Sequence, residues 1–227
     1  MKSIAAAWVF VLVALASLSC TSAELCPPTD QNLMWSSACF EGSGTSRKVK
    51  PEYASNIIAN KAGNATIVIG NPREMIAVDR SGAVKVPHIF HTGDFDFPNA
   101  SESIGRFQIT AGVAPSTTLT KCGYFDGRSF EIKIPAAYDH CLAFADGVAT
   151  VCNQCAQYCT EPDCQNSVLV GGEGLAVDKS NRIVRRFALP PLEKACGGTA
   201  GKIVQISERN SYLQCPPSAA GPFDQLR

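Results

Sequence analysis

The apolar residues of this chain recur with a period of two, in runs of four or five, and nowhere sustain the 3.6-residue period of a long helix. The runs are Thr66-Ile67-Val68-Ile69, Met75-Ile76-Ala77-Val78, Ala83-Val84-Lys85-Val86, Arg106-Phe107-Gln108-Ile109, Phe130-Glu131-Ile132-Lys133-Ile134, Val148-Ala149-Thr150-Val151, Ser167-Val168-Leu169-Val170 and Lys202-Ile203-Val204-Gln205-Ile206. Val, Ile, Thr and Phe dominate them, and such residues suit a pleated, half-buried surface. The gaps carry most of the 14 prolines and 18 glycines, which interrupt regular structure. The pattern predicts an all-β fold of repeated short antiparallel strands, arranged as a solenoid-like stack or an incomplete propeller. Helix is expected only as single turns near 142–145 and 191–194. Formal charge is zero, 20 basic against 20 acidic residues, so no broad field attracts nucleic acid or an acidic membrane.

Residues 1–23 read as a secretory signal peptide. Lys2 supplies the basic end, an apolar run follows, and Thr21-Ser22-Ala23 offers small residues for cleavage. The run is short for a membrane span, and no other stretch is long and apolar enough, so no transmembrane helix is expected after signal removal. The expected location is therefore secreted or periplasmic, with a lipoprotein anchored at Cys20 as the alternative. Of the 11 cysteines, all but Cys20 lie beyond the cleavage point: Cys26, Cys39, Cys122, Cys141, Cys152, Cys155, Cys159, Cys164, Cys196 and Cys215. An even set in an exported chain argues for up to five disulfides that stabilise the fold, with connectivity left open. The cluster at 152–164 also has metal-like spacing, but an oxidising compartment favours a locally cross-linked loop. The chain divides into the signal, an N-terminal extension at 24–37, a β domain at 38–207 containing the cysteine-rich insertion 152–164, and a C-terminal tail at 208–227.

The β domain repeats itself. One block reads Gly123-Tyr124-Phe125-Asp126, Phe130-Glu131-Ile132-Lys133-Ile134-Pro135, Tyr138-Asp139 and Phe144-Ala145-Asp146-Gly147-Val148-Ala149-Thr150-Val151. Earlier blocks centre on Ile76-Ala77-Val78-Asp79 with Val84-Lys85-Val86-Pro87, Phe90 and Phe95, and on Cys39-Phe40-Glu41 with Lys48-Val49-Lys50-Pro51, Tyr53 and Ile58. A later one holds Gly174-Leu175-Ala176-Val177-Asp178, Ile183-Val184 and Phe187. In each unit a short strand ends at an acidic residue that starts a turn. A second strand closes at proline, which cannot donate to a ladder. Aromatics then plug the core, and glycine opens a third strand. One such unit cannot bury its apolar face alone, whereas several stacked units can.

This pattern resembles the WG-repeat family, over roughly residues 38–190. Lys121-Cys122-Gly123-Tyr124-Phe125-Asp126, Ile134-Pro135, Tyr138-Asp139 and the 144–151 segment match it closely. Cys122 stands where the family has Trp, and disulfides involving Cys122 and Cys141 would offset the lost packing. The resemblance implies a repeat scaffold for binding and supplies no catalytic residues.

The residues themselves assign no catalytic, cofactor or metal site. The best metal-like set is His88, His91, Asp94 and Asp96, in a post-proline loop; loop polarity is its plainer reading, and a secreted metal-dependent hydrolase its sharper one. Gly42-Ser43-Gly44 and Gly171-Gly172-Glu173-Gly174 open no helix, so they do not cradle phosphate. Glu161 and Asp163 read as solvated loop carboxylates. Arg47-Lys48 and Arg185-Arg186 read as ordinary surface, with one member of each pair expected to face solvent. Asn64 and Asn99 head glycosylation sequons. The expected function is binding of a protein or an envelope glycan through the post-proline loops and the 152–164 insertion, with a structural cell-envelope role as the further alternative.

Overall fold

The computed structural model describes residues 26, 34–43, 46–70, 73–90, 97, 101–111, 119–163, 167–206 and 211–217. Two strands, β1 (Phe40–Glu41) and β2 (Lys48–Val49), form an N-terminal hairpin. The first sheet comprises β3 (Asn64–Ile69), β4 (Glu74–Asp79) and β5 (Val84–Val86). The second comprises β6 (Ile104–Ala111), β7 (Leu119–Asp126) and β8 (Ile132–Tyr138). In the third, β9 (His140–Cys141), β10 (Val148–Asn153), β13 (Glu173–Asp178) and β14 (Ile183–Ala188) lie side by side in that order. In the fourth, β12 (Ser167–Val170) is followed by β11 (Ala156–Cys159), β16 (Ser211–Gln214) and β15 (Lys202–Gln205). Every pairing between these strands is antiparallel except β11 with β16, a parallel contact at Cys159 and Tyr212; Trp35 also bridges Ile69 of β3 in parallel. The all-β expectation holds: among the described residues the only helix is short 3-10 structure.

The strands form where period-two runs occur, and the acidic turn residues stop them. Asp79, Asp126 and Asp178 each end the central strand of a sheet and fold their side chains back onto the turn. Asp79 Oδ1 accepts from the Ser81 and Ala83 N–H groups at 2.8 and 3.1 Å. Asp126 Oδ1 accepts from Arg128 and Ser129 at 2.9 and 2.8 Å, and Asp178 Oδ1 from Ser180 and Arg182 at 2.9 and 3.0 Å. These Asx turns satisfy backbone donors that a bare hairpin leaves to water.

The repeat unit, however, does not close on itself. The strand opened by Gly63, Gly105 or Gly147 joins the hairpin of the following unit: β3 pairs with β4, β6 with β7, and β10 with β13. Each of the first three sheets therefore contains residues of two sequence units, and none of those units can leave the array without breaking a ladder. β4, β7 and β13 are buried on both faces because a further layer lies on either side of each of their sheets. On β4, Ile76 and Val78 face a core formed with Trp35, Cys39, Phe40 and Val49 of the N-terminal region, while Ala77 faces the second sheet. Phe97, Phe107, Phe125 and Phe130 fill the space between first and second sheets, with Phe125 and Phe130 stacked 5.9 Å apart. Tyr124, Ile134 and Tyr138 pack from the second sheet against Val151, Leu175 and Val177 of the third and Phe144 of the β9–β10 connection. Cys152, Leu169 and Leu189 continue the core, and Val168, Val170, Ala195 and Leu213 end it in the fourth sheet. Among the described residues no core cluster joins the first sheet to the last, so the array is open.

Close approach fixes the glycines that matter. A side chain at Gly123 would collide with the backbone of Ile134 and Pro135, where β8 bends in against β7. Gly105 and Gly174 sit opposite Phe125 and Phe187, whose rings lie over them. Several bonds tie successive sheets. Asn64 Nδ2 donates to the Ser129 carbonyl at 3.1 Å, and Tyr138 Oη to Asn181 Oδ1 at 2.8 Å. Glu102 accepts from the Gly147 N–H at 2.7 Å and pairs with Lys179 at 2.8 Å.

Several local expectations are corrected. Residues 142–145 form no helical turn; Ala145 instead bridges Val148. A 3-10 turn does form at Leu192–Lys194, and others occur at Ser37–Cys39 and Pro51–Asn56, where Pro51 presets the backbone. Pro135 lies within β8 rather than closing it, which an edge strand with an irregular register tolerates. Ile58 is 75% exposed and plugs no core. The insertion is not a loop: β11 and β12 pair as a hairpin and seed the fourth sheet. Arg185 and Arg186 are both exposed, because β14 is an outer strand with a bulge opposite Ala176 and Val177.

Candidate interaction surface

The cysteines are the residues that sequence placed best. Cys122 and Cys141 are bonded to each other, as are Cys26 with Cys39, Cys152 with Cys155, and Cys196 with Cys215. Cys159 is also disulfide-bonded. Cys164 and Cys20 lie outside the described residues, as does the signal segment. The Cys122–Cys141 bond occupies the core between second and third sheets. The terminal bonds sit at the two ends of the array, one beside Trp35 and Phe40 and one beside Leu213. No described helix is long and apolar enough to cross a membrane.

The metal-like quartet is only partly visible. His91, Asp94 and Asp96 lie outside the described residues, and so do Phe95 and Asn99. His88 is described, with its Nδ1 3.0 Å from Glu74 Oε1. The same buried carboxylate accepts both terminal nitrogens of Arg47 at 2.8 Å. Arg47, Glu74 and His88 thus knit the N-terminal hairpin to β4 and the segment after β5. Among the described residues no group of three or more His, Cys, Asp or Glu side chains could hold a metal ion. Asn64 is 5% exposed with its amide nitrogen bonded to Ser129, so the folded protein offers no room for a glycan there.

A polar corner lies where the chain leaves the third sheet. Asp139 Oδ1 meets Lys121 Nζ at 2.6 Å, and its Oδ2 accepts from the Gln154 N–H at 2.6 Å. Burial opposes ionisation of Asp139, but Lys121 and the Gln154 N–H outweigh it and hold the carboxyl below its ordinary range. His140 pairs across the ladder with Cys152. Burial lowers its affinity for a proton more than Asp139 and Gln157 raise it. Gln154, in a left-handed conformation, and Gly171 and Gly172 form the outgoing and returning connections to the insertion, with Gly172 packed on the Asn153 and Gln154 backbone. The Cys152–Cys155 bond closes the outgoing connection alone. Glu161 sits beside Thr160, whose hydroxyl it accepts, and Pro162 and Asp163 are exposed at the hairpin tip.

Sequence shows Asp139 and His140 only as neighbours after a proline, since the partners of Asp139, Lys121 and Gln154, lie 18 and 15 positions away. Compared with known protein families, curated proteins and solved structures, the chain matches none.

Proposed function

We propose that this chain is an exported, non-catalytic binding scaffold of WG-repeat-like design, whose ligand is a protein or an envelope glycan. The observation that carries the reading is the 153–172 excursion. It interrupts the β10–β13 pair, contributes nothing to the repeat, and is held by the Cys152–Cys155 disulfide and a further disulfide at Cys159. A cross-linked projection is ordered before it meets a ligand, which lowers the entropic cost of binding. Several prominent ionic groups support the same reading, since they act as ties within the array: Glu102 to Lys179, Glu74 to Arg47, and Asp139 to Lys121.

The test uses immobilised oxidised protein, titrated with solubilised envelope proteins and with cell-wall glycan fragments. Saturable binding weakened about tenfold or more by Gln157→Arg or Asp163→Arg is the expected result. Failure to find any saturable ligand favours a structural envelope component. Stoichiometric zinc in the purified protein, lost on His91→Ala, overturns the reading in favour of a metal-dependent hydrolase.

A further inference from the structure

The outer strands of the sheets are not equally protected. β5 has three residues, and the N-terminal hairpin covers it, with Lys48 bridging Ala83 and the Val84 N–H donating to the Arg47 carbonyl. β3 is met by Trp35 at Ile69, and β6 by Ile89 at Phe107. β8 carries Pro135 and two register shifts. β12 and β15 have four residues each. β14 has six, contains no proline, and among the described residues pairs only with β13. All of its residues but Phe187 are exposed, Ile183 by 42% and Val184 by 54%. Its bulge turns these two consecutive aliphatic side chains to solvent. An uncovered strand of this length is a template for further pairing.

Charge decides what pairs with it. The stretch 179–188 contains Lys179, Arg182, Arg185 and Arg186 and no acidic residue, in a chain of zero net charge. Lys179, Arg182 and Arg186 already meet Glu102, Asp178 and Glu173. Arg185 lies over the Phe187 ring, 5.0 Å from its centroid, and forms no ion pair among the described residues. A second copy of this chain, docked antiparallel about a two-fold axis on β14, would set arginine against arginine, and like charges on facing strands destabilise. An incoming strand with carboxylates opposite 185 and 186 meets the reverse situation.

We propose that β14 is a docking edge for an extended, acidic segment of a partner protein, which adds as a further strand to the third sheet. Main-chain bonds to residues 183–188 supply affinity, Ile183 and Val184 take β-branched side chains, and Arg185 selects the acidic ones. The proposal rests on the binding reading above and moves the contact from the 153–172 excursion, which joins the inner strands β10 and β13, to the outer strand β14.

The probes are two capped heptapeptides, one with Glu-Glu followed by Val-Val at its centre, so that an antiparallel strand sets carboxylates opposite 185 and 186 and β-branched side chains opposite 183 and 184, and one with Lys in place of Glu, titrated into the oxidised protein by calorimetry and followed by backbone amide shifts. The expected result is saturable binding of the Glu peptide alone, with shifts centred on 183–188. Arg185→Glu should weaken it about tenfold. Val184→Pro should abolish it, because a proline on an edge strand blocks further pairing; should that variant not fold, Arg185→Glu and the Lys peptide carry the test. Equal binding of both peptides, no binding, or binding unchanged in Arg185→Glu overturns the proposal. Concentration-dependent dimers dissolved by Val184→Pro overturn it in favour of a second copy. A saturable ligand that binds wild type and Val184→Pro alike leaves the scaffold reading standing while the docking edge falls.

Discussion

Removing the Cys122–Cys141 bond by the double substitution Cys122→Ala/Cys141→Ala should cost much more structure than removing Cys196–Cys215, although both span the same separation of 19 residues. Loop entropy alone assigns each bond about 3 kcal/mol, since cross-linking restricts the unfolded chain by an amount that depends on loop length. For a chain of this size that corresponds to about 6–12 °C in the unfolding temperature. The two differ in position. Cys122 and Cys141 are buried in the core that joins second and third sheets, whereas Cys196 and Cys215 close the last sheet. In an array where each unit contacts only its neighbours, an internal defect uncouples both halves and a terminal defect frays one end. Calorimetry and hydrogen exchange on the two variants measure this directly. The inner variant should lose protection on β6–β8, β10 and β13, and the outer one only on β11, β12, β15 and β16. Equal, global loss in both variants would refute the reasoning, as would an inner variant whose β7 and β13 amides stay as protected as wild type.

Three further outcomes follow from the same structure. Under graded reduction, alkylation should trap Cys152 and Cys155 before the other described pairs, because their separation of 3 confers the least loop stabilisation, about 1.6 kcal/mol; earlier trapping of Cys122 would count against it. Because burial keeps His140 neutral, its folded proton affinity lies below the unfolded one, so the urea midpoint should hold steady above the ordinary histidine range and fall as pH drops through it, a fall that His140→Gln removes. Asp126→Ala should cost about 1 kcal/mol by leaving the Ser129 and Arg128 N–H groups unbonded. The Ser129 N–H lowers the Asp126 carboxyl despite burial, so the wild-type advantage should be complete above the ordinary carboxylate range and vanish as pH falls through the depressed folded value, readable as converging thermal midpoints.

Much of the fold was legible because strand formation here is a local matter. Runs such as Thr66–Ile69 and Val148–Val151 carry their own alternation and lie within β3 and β10. Asp79, Asp126 and Asp178 announce their turns by residue type alone. What sequence could not show is which strand pairs with which. The glycine-opened strand reads as the end of its own unit, and only the distant ladder between β6 and β7 or β10 and β13 reveals that it belongs to the next. β1, β2 and β9 have two residues each, too few for a period to register. β11 and β16 hide among cysteines and prolines, and their pairing depends on residues more than 50 positions apart. The cysteines were legible as a set and not as pairs, because spacing restrains only the shortest bridge. The β14 edge was misjudged for a related reason: alternation assumes a covered face, and an outer strand with a bulge has none.

Peptide mapping of the unreduced protein by mass spectrometry tests the central claim, an open array of small sheets stapled by disulfides, more directly than any other measurement. The account requires linked peptides joining Cys26 to Cys39, Cys122 to Cys141, Cys152 to Cys155, and Cys196 to Cys215. Free thiols at Cys122 and Cys141, or a bond from either to a cysteine of the insertion, would contradict it, because the second and third sheets could then not face each other as described.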